Sequence, residues 1–173
     1  EFGNYLWHHE VTGPATLEVL ERLMGPEDKF RGFMSATGSA GTIACGDFLK
    51  KKFPMSKIAA SEALQCPTLL RNGFGEHRIE GIGDKHVPWI HNVRNTDAVA
   101  GIDDEDCMRV FRLFNEPEGI AYLKDQVLSP PARAFVDTLI GLKSGDLHPM
   151  GIGLLMARIL SQRKNKQRKS TGM

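Results

Sequence analysis

The chain has little of what marks several protein classes. Its 173 residues include three cysteines, Cys45, Cys66 and Cys107. Their odd number and wide separation exclude a disulfide scaffold and a zinc spacing, and they read as free thiols in a reducing compartment. No apolar run is long enough to cross a bilayer and no signal-peptide pattern is present, so the expected setting is the cytoplasm, with no membrane partner. Neither sign of charge is in excess. Lys and Arg number 22 against 21 Asp and Glu, a net charge of +1, which gives nucleic acid no electrostatic footprint. His8, His9, His86, His91 and His148 form no ligand-type grouping, and His77 is expected to pack or hydrogen-bond rather than hold a metal. An initiator methionine is absent as well, and the aromatic-rich stretch from Phe2 to Trp7 has the look of the middle of a protein.

What is present suits a globular α/β chain. The length allows one domain with a sizeable core, or a large piece of a bigger protein. Thr12-Gly13-Pro14 is a helix-start signal, after which Leu17, Leu20, Leu23 and Met24 recur at helical spacing until Gly25-Pro26. Phe30 to Ser35 predicts a buried strand, Ile43 to Lys52 a helix, and Lys57 to Glu62 a second strand. Strand, glycine loop, helix and strand in that order describe a right-handed crossover in a parallel sheet.

The loop inside that unit, Gly38-Ser39-Ala40-Gly41-Thr42, carries the first functional signal. Glycines let the backbone approach an anion, and free N–H groups of a first helical turn point toward it along the helix dipole. Ser39 and Thr42 add hydroxyl donors. The same glycines also serve close packing of a helix on a strand, and the loop alone does not separate the two roles. A Rossmann dinucleotide site is disfavoured, because the glycine spacing is wrong.

Further on, Gln65 to Asn92 lacks periodicity, and a connection of that length is a functional segment or a lid. Within it Gly81-Ile82-Gly83 either brings backbone to a ligand or meets a need for positive φ. Asp97 to Ile102 predicts a strand. Asp103-Asp104-Glu105-Asp106 suits a helix N-terminus, and it lacks the spacing and glycine of a calcium loop. Helices are expected from Pro117 to Gln126, from Pro130-Pro131, and from Leu154 to Leu160. A last strand is expected over Thr138 to Leu142. The basic tail at 163–173, without interleaved aromatics, reads as a solvated end.

Three blocks in fixed order carry a family resemblance. His9-Glu10-Val11-Thr12-Gly13-Pro14 is similar to a His-x-x-Thr-Thr-Gly-Pro segment. Gly38 to Thr42 stands where a Gly-Thr-Gly-Gly-Thr loop wraps a cofactor phosphate. His77-Arg78-Ile79-Glu80-Gly81-Ile82-Gly83 is similar to His-Lys-Ile-x-Gly-Ile-Gly, which lines the cofactor cleft. Glu116-Pro117-Glu118-Gly119-Ile120 resembles a Glu-Glu-Gly-Ile turn. Over residues 9 to 120 the chain thus resembles the fold-type II pyridoxal-phosphate enzymes, the cysteine synthase, cystathionine β-synthase and tryptophan synthase β group.

The resemblance implies a three-layer α/β sandwich with a mainly parallel sheet. It implies pyridoxal 5'-phosphate as cofactor, held by Gly38, Ser39, Ala40, Gly41 and Thr42 and flanked by Gly81, Ile82 and Gly83. Ser144 is the candidate partner of the pyridine nitrogen, although Gly141-Leu142-Lys143-Ser144-Gly145 departs from the family's Ser-Ser-Gly, and a plain turn serine fits as well. A hydroxyl partner leaves the pyridine less protonated, which suits elimination and replacement at the β-carbon of an amino-acid substrate. A homodimer is the implied assembly.

One departure is large. The family's Schiff-base lysine and its substrate-carboxylate loop lie upstream of the glycine loop, and neither has a match here. Lys29 has the wrong surroundings, and Lys85 is a substitute or a surface lysine. Residues 1–162 are therefore expected to be the C-terminal, phosphate-holding portion of a longer enzyme whose N-terminal part supplies the lysine, and which acts by β- or γ-elimination or replacement. The alternative is a non-catalytic module that keeps the loop for another phosphate ligand.

Overall fold

In the computed structural model the described residues are 1–141 together with His148, Pro149, Gly151, Ile152 and Met156. Three strands, β1 (Gly32–Ala36), β2 (Lys57–Ala63) and β3 (Ala98–Ile102), form one parallel sheet in the order β1-β2-β3. Phe33 lies opposite Ile58, and Ala60 opposite Val99. Side chains alternate across the sheet with period two, and each face acquires its own core. Ile58 and Ala60 face one side with Ala40, Ile43 and Ile90. On the other side Ala63 and Ile102 pack with Cys66, Ile79, Ile82 and Cys107. Two cores on two faces make the three layers expected of the sequence.

The first face is covered by α3 (Ile43–Lys52), which connects β1 to β2 and buries Ile43 to Asp47 and Leu49. The second is covered by α5 (Asp104–Asn115), on which α6 (Pro117–Asp125) packs. Asp103 caps α5, accepting from the amides of Glu105 at 3.0 Å and Asp106 at 3.2 Å. That is the capping role expected of the acidic run. Between β2 and β3 the long connection contains only a one-turn helix, α4 (Thr68–Arg71), and a 3₁₀ turn at Val93–Asn95.

The structure refines one sequence expectation and corrects another. A helix begins at the Thr12-Gly13-Pro14 signal with Pro14 in its first turn, but not at a free end. Helix α1 (Phe2–Trp7) runs through a π turn (His8–Thr12) into α2 (Gly13–Leu23), with right-handed backbone at each junction. Gly13 donates to the carbonyl of His8, five residues back, so the ladder shifts register just before Pro14, which has no N–H to give. The strand expected over Thr138 to Leu142 is not found at Thr138 to Gly141. Helix α7 (Pro130–Gly141) occupies it up to Gly141, and the Thr138 hydroxyl donates to the Ala134 carbonyl one turn back at 2.8 Å. An Arg133–Asp137 pair at 3.4 Å spans the same face, and together these outweigh the β-branched composition of the segment. Leu142 lies outside the described residues, as do the tail and most of the helix expected over 154–160.

Asp97 fastens the start of β3 to its neighbours. Its carboxylate accepts from Lys50 Nζ at 2.6 Å, the Ile58 amide at 2.8 Å and Lys57 Nζ at 3.1 Å. Burial works to raise its pKa, but Lys50, the Ile58 amide and Lys57 together outweigh that and lower it from 3.8 to about 2. A depressed carboxyl contributes stability above its unfolded pKa and loses it as pH falls through the folded one. Acid unfolding followed by circular dichroism should therefore show stability falling between pH 3.8 and about 2. Asp97→Asn should flatten that part of the profile and lower stability at neutral pH.

Candidate functional site

The chain leaves β1 at Thr37, whose amide donates to the Ser61 carbonyl at 2.9 Å. It then turns through Gly38 to Thr42 into α3. Ser35 Oγ and Thr42 Oγ1 meet at 2.5 Å and close the base of the turn. Ala40 adopts φ of 61°, a left-handed conformation that costs a non-glycine residue about 1–2 kcal/mol. Its buried methyl joins the Ile43–Ile58 core, which offsets that cost. Among the described residues, the amides of Gly38, Ser39, Ala40, Gly41 and Thr42 donate to no protein acceptor. A run of free amides before a ten-residue helix is the donor set that an anion requires.

The second glycine block lies directly against this loop. Gly83 donates its amide to the Thr37 carbonyl at 3.2 Å. A Cβ on Gly38 would stand 3.2 Å from Ile82 Cα and 3.3 Å from the Gly81 carbonyl oxygen. Gly81 and Gly83 have φ of 81° and 86°, which meets the need for positive φ, one of the two alternatives the sequence left open for these glycines. The His77 ring packs on Gly83, with Nε2 2.5 Å from where a Cβ would be. His77 thus packs as expected, and no group of three His, Cys, Asp or Glu side chains fit for a metal occurs among the described residues. Lys29 and Lys85 are exposed, and the Lys85 ammonium lies 5.7 Å from the Phe74 ring. Ser144 lies outside the described residues.

Several supports of the site were not singled out in the sequence. Buried Asp104 accepts from the Arg78 amide at 2.8 Å and the Ile79 amide at 3.1 Å, clamping the block that leads to Gly81. Arg78 closes the clamp by pairing with Asp104 and Glu105. Glu62, at the end of β2, accepts from the amides of Leu69 at 2.8 Å and Leu70 at 3.0 Å. Burial raises its pKa, and those two amides partly oppose the rise. Thr68 then donates to the Asp84 carbonyl at 2.7 Å, next to Gly83. Glu62 stands four residues before a Cys-Pro-Thr turn, and a lone acid at the end of a strand was the available signal.

Between the two loops lies a small pocket of about 10 Å³, lined by Thr37, Gly38, Glu62, Thr68, Gly83 and Asp84 among others. The Thr37 hydroxyl is buried there without a protein partner among the described residues. The free loop amides and the orphaned hydroxyl are hydrogen-bond donors left without protein partners, and such buried groups call for an explanation.

Comparison with known proteins follows the same line. The sequence matches no family profile. It is 30% identical to a cysteine synthase of Staphylococcus aureus over 124 residues, which is 67% of this chain and 40% of that protein. It is 33% identical to cysteine synthase B of Campylobacter jejuni over 91 residues, 52% of this chain and 30% of that protein. The fold superposes on a hydrogen sulfide-producing enzyme from Fusobacterium nucleatum with a TM-score of 0.68 at 22% identity, covering 95% of this chain and 41% of that one. An O-acetylserine dependent cystathionine β-synthase from Helicobacter pylori gives a TM-score of 0.62 at 19% identity, over 93% of this chain and 42% of that one.

The chain is related to the fold-type II pyridoxal-phosphate enzymes. It spans about 40% of the length of the Staphylococcus aureus relative. At φ of 61° Ala40 keeps a backbone conformation that glycine adopts freely.

The abutment of the two loops leads to an expected outcome. Gly83→Ala must place a methyl at a φ of 86° and against the His77 ring. It should lower the unfolding free energy by about 2 kcal/mol, read by urea denaturation. An unchanged midpoint would contradict the packing described here.

Proposed function

We propose that this chain is the phosphate-holding portion of a pyridoxal-phosphate-dependent enzyme of the cysteine synthase kind. The parent enzyme acts on an amino acid with a leaving group on its β-carbon (or γ-carbon), by elimination or replacement. The observation that carries the reading is the run of unpaired amides from Gly38 to Thr42, pressed against Gly81-Ile82-Gly83. In this reading the amides of Gly38 to Thr42 and the Ser39 hydroxyl hold the phosphate. The Thr42 hydroxyl already meets Ser35, so it steadies the turn and joins the phosphate only by rotating. Gly81, Ile82 and Gly83 form the adjoining wall of the cleft. Ser144 remains the proposed partner of the pyridine nitrogen.

Pyridoxal phosphate, when bound, delocalises the electron pair left at the substrate α-carbon after proton loss. The residues of this chain bind and orient. The base that takes the α-proton is a lysine supplied by residues other than these, since Lys29 and Lys85 sit on the surface. Cytoplasmic location and a homodimeric parent complete the reading. The cysteine synthase relatives support a sulfur-containing amino-acid pathway as the metabolic setting.

The 173-residue chain tests the cradle directly. Isothermal titration with pyridoxal 5'-phosphate, with unphosphorylated pyridoxal and with inorganic phosphate should give binding of the first, competition by the third and no specific binding of the second. Because dianion recognition rests on charge-assisted hydrogen bonds, Gly38→Ala should weaken the phosphorylated ligand by about tenfold as its methyl parts the two loops. Equal binding of pyridoxal with and without its phosphate would remove the reading. Tight binding of a nucleotide or sugar phosphate in preference to the coenzyme would favour the non-catalytic module.

A further inference from the structure

A side chain from the N-terminal helix reaches the anion loop. Asn4, on α1, donates from Nδ2 to Ser39 Oγ at 3.1 Å. Its carboxamide also rests on Gly41, where an added Cβ would lie 2.3 Å from Asn4 Oδ1, 2.4 Å from Nδ2 and 2.6 Å from Cγ. Gly41 is not among the residues with positive φ, so its backbone does not itself call for glycine. The space does, and Asn4 fills it.

The position of Asn4 is set by packing at the next turn of its own helix. Tyr5 stacks on His9 at 5.5 Å, and His9 meets Phe48 of α3 edge-on at 5.6 Å. Lys51 of α3 approaches His9 Nε2 at 2.9 Å, and Tyr5 packs against the core that holds Ala40 and Ile43. α3 begins where the anion loop ends, so loop, α3 and the α1–π-turn helix close a triangle with Asn4 at its apex. A loop of small residues with unpaired amides has few contacts to fix its shape, and Asn4 supplies two of them.

We propose that Asn4 is a positioning residue of the phosphate loop: its carboxamide, bonded to Ser39 and seated on Gly41, holds Gly38 to Thr42 in the conformation that leaves their amides free for an anion. This deepens the phosphate-cradle reading and rests on it. Asn4 need not touch the cofactor, and acts through Ser39 and Gly41.

The test uses the 173-residue chain, inorganic phosphate as probe, and melting temperature as a ligand-free readout. Asn4→Ala should weaken phosphate about tenfold, on the scale of one lost hydrogen bond and a loosened loop, while the chain remains folded at the titration temperature. Gly41→Ala should lower the melting temperature with Asn4 present. Adding Asn4→Ala to it should recover much of the loss, the non-additivity of two side chains competing for one space. If Gly41→Ala alone fails to fold, folding of the double variant supports the contact, and failure of both overturns it. Equal phosphate affinity of Asn4→Ala and the unsubstituted chain overturns the positioning role alone. An unsubstituted chain that binds no phosphate overturns the cradle itself, and the positioning role with it.

Discussion

One contact organises the site: the Gly83 amide on the Thr37 carbonyl, with Gly38 seated on Ile82 Cα. Neither loop belongs to a sheet ladder or a helix, so neither has regular hydrogen bonding to fix its course. Each is shaped by the other and by what grips it from outside. Because glycine stands at 38, 81 and 83, the two backbones approach within van der Waals distance, and a methyl added at Gly38 would crowd Ile82 Cα. The remaining polar anchors make sense as supports of this abutment. Asp104 holds the approach to Gly81, Thr68 holds the exit at Asp84, and Glu62 holds the helical turn that carries Thr68.

The buried acids of the region are engaged with backbone amides, and Asp104 pairs with the Arg78 guanidinium as well. A carboxylate that accepts two amide hydrogens repays much of its desolvation, and it fixes two residues with one side chain. Glu62 and Asp104 both do this. The anion loop, by contrast, contains no charged side chain, and its attraction for a phosphate rests on amide dipoles and the N-terminal end of α3. The opposite end of that helix carries Lys50, Lys51 and Lys52, where positive charge suits the dipole and stays clear of the anion end. Tyr5 and His91 lie near Asp47, deeper along α3, and burial sets the direction in which each of the two titrates.

Much of this was legible from residue types and spacing. The short strand over Lys57 to Glu62, the ten-residue helix after Thr42, and the acidic cap at Asp103 each depend on local composition or local hydrogen bonding, and these survive folding unchanged. One departure and one failure have a common cause. Thr12-Gly13-Pro14 carries a start signal, yet packing of Gly13 on Phe48 and of His9 between Tyr5 and Phe48 draws the helix onward through a π turn. Thr138 to Gly141 has the β-branched look of a strand, but it is the end of a helix begun by Pro130. In both, a local signal was overridden by neighbours that the local window does not contain.

The amino-acid sequence by itself determined the three strands of the sheet in their order, the crossover helix, and glycines at 38, 41, 81 and 83. It also carried the family likeness, because motif order survives in one dimension. Only the tertiary structure decided which motifs meet. That Gly38 lies on Ile82, that Gly41 is small because Asn4 sits on it, and that Asp104 clamps Ile79 are facts about distances between segments far apart in the chain. No periodicity encodes such distances, since they arise when a parallel crossover brings the C-terminal end of one strand against the loop that follows its neighbour.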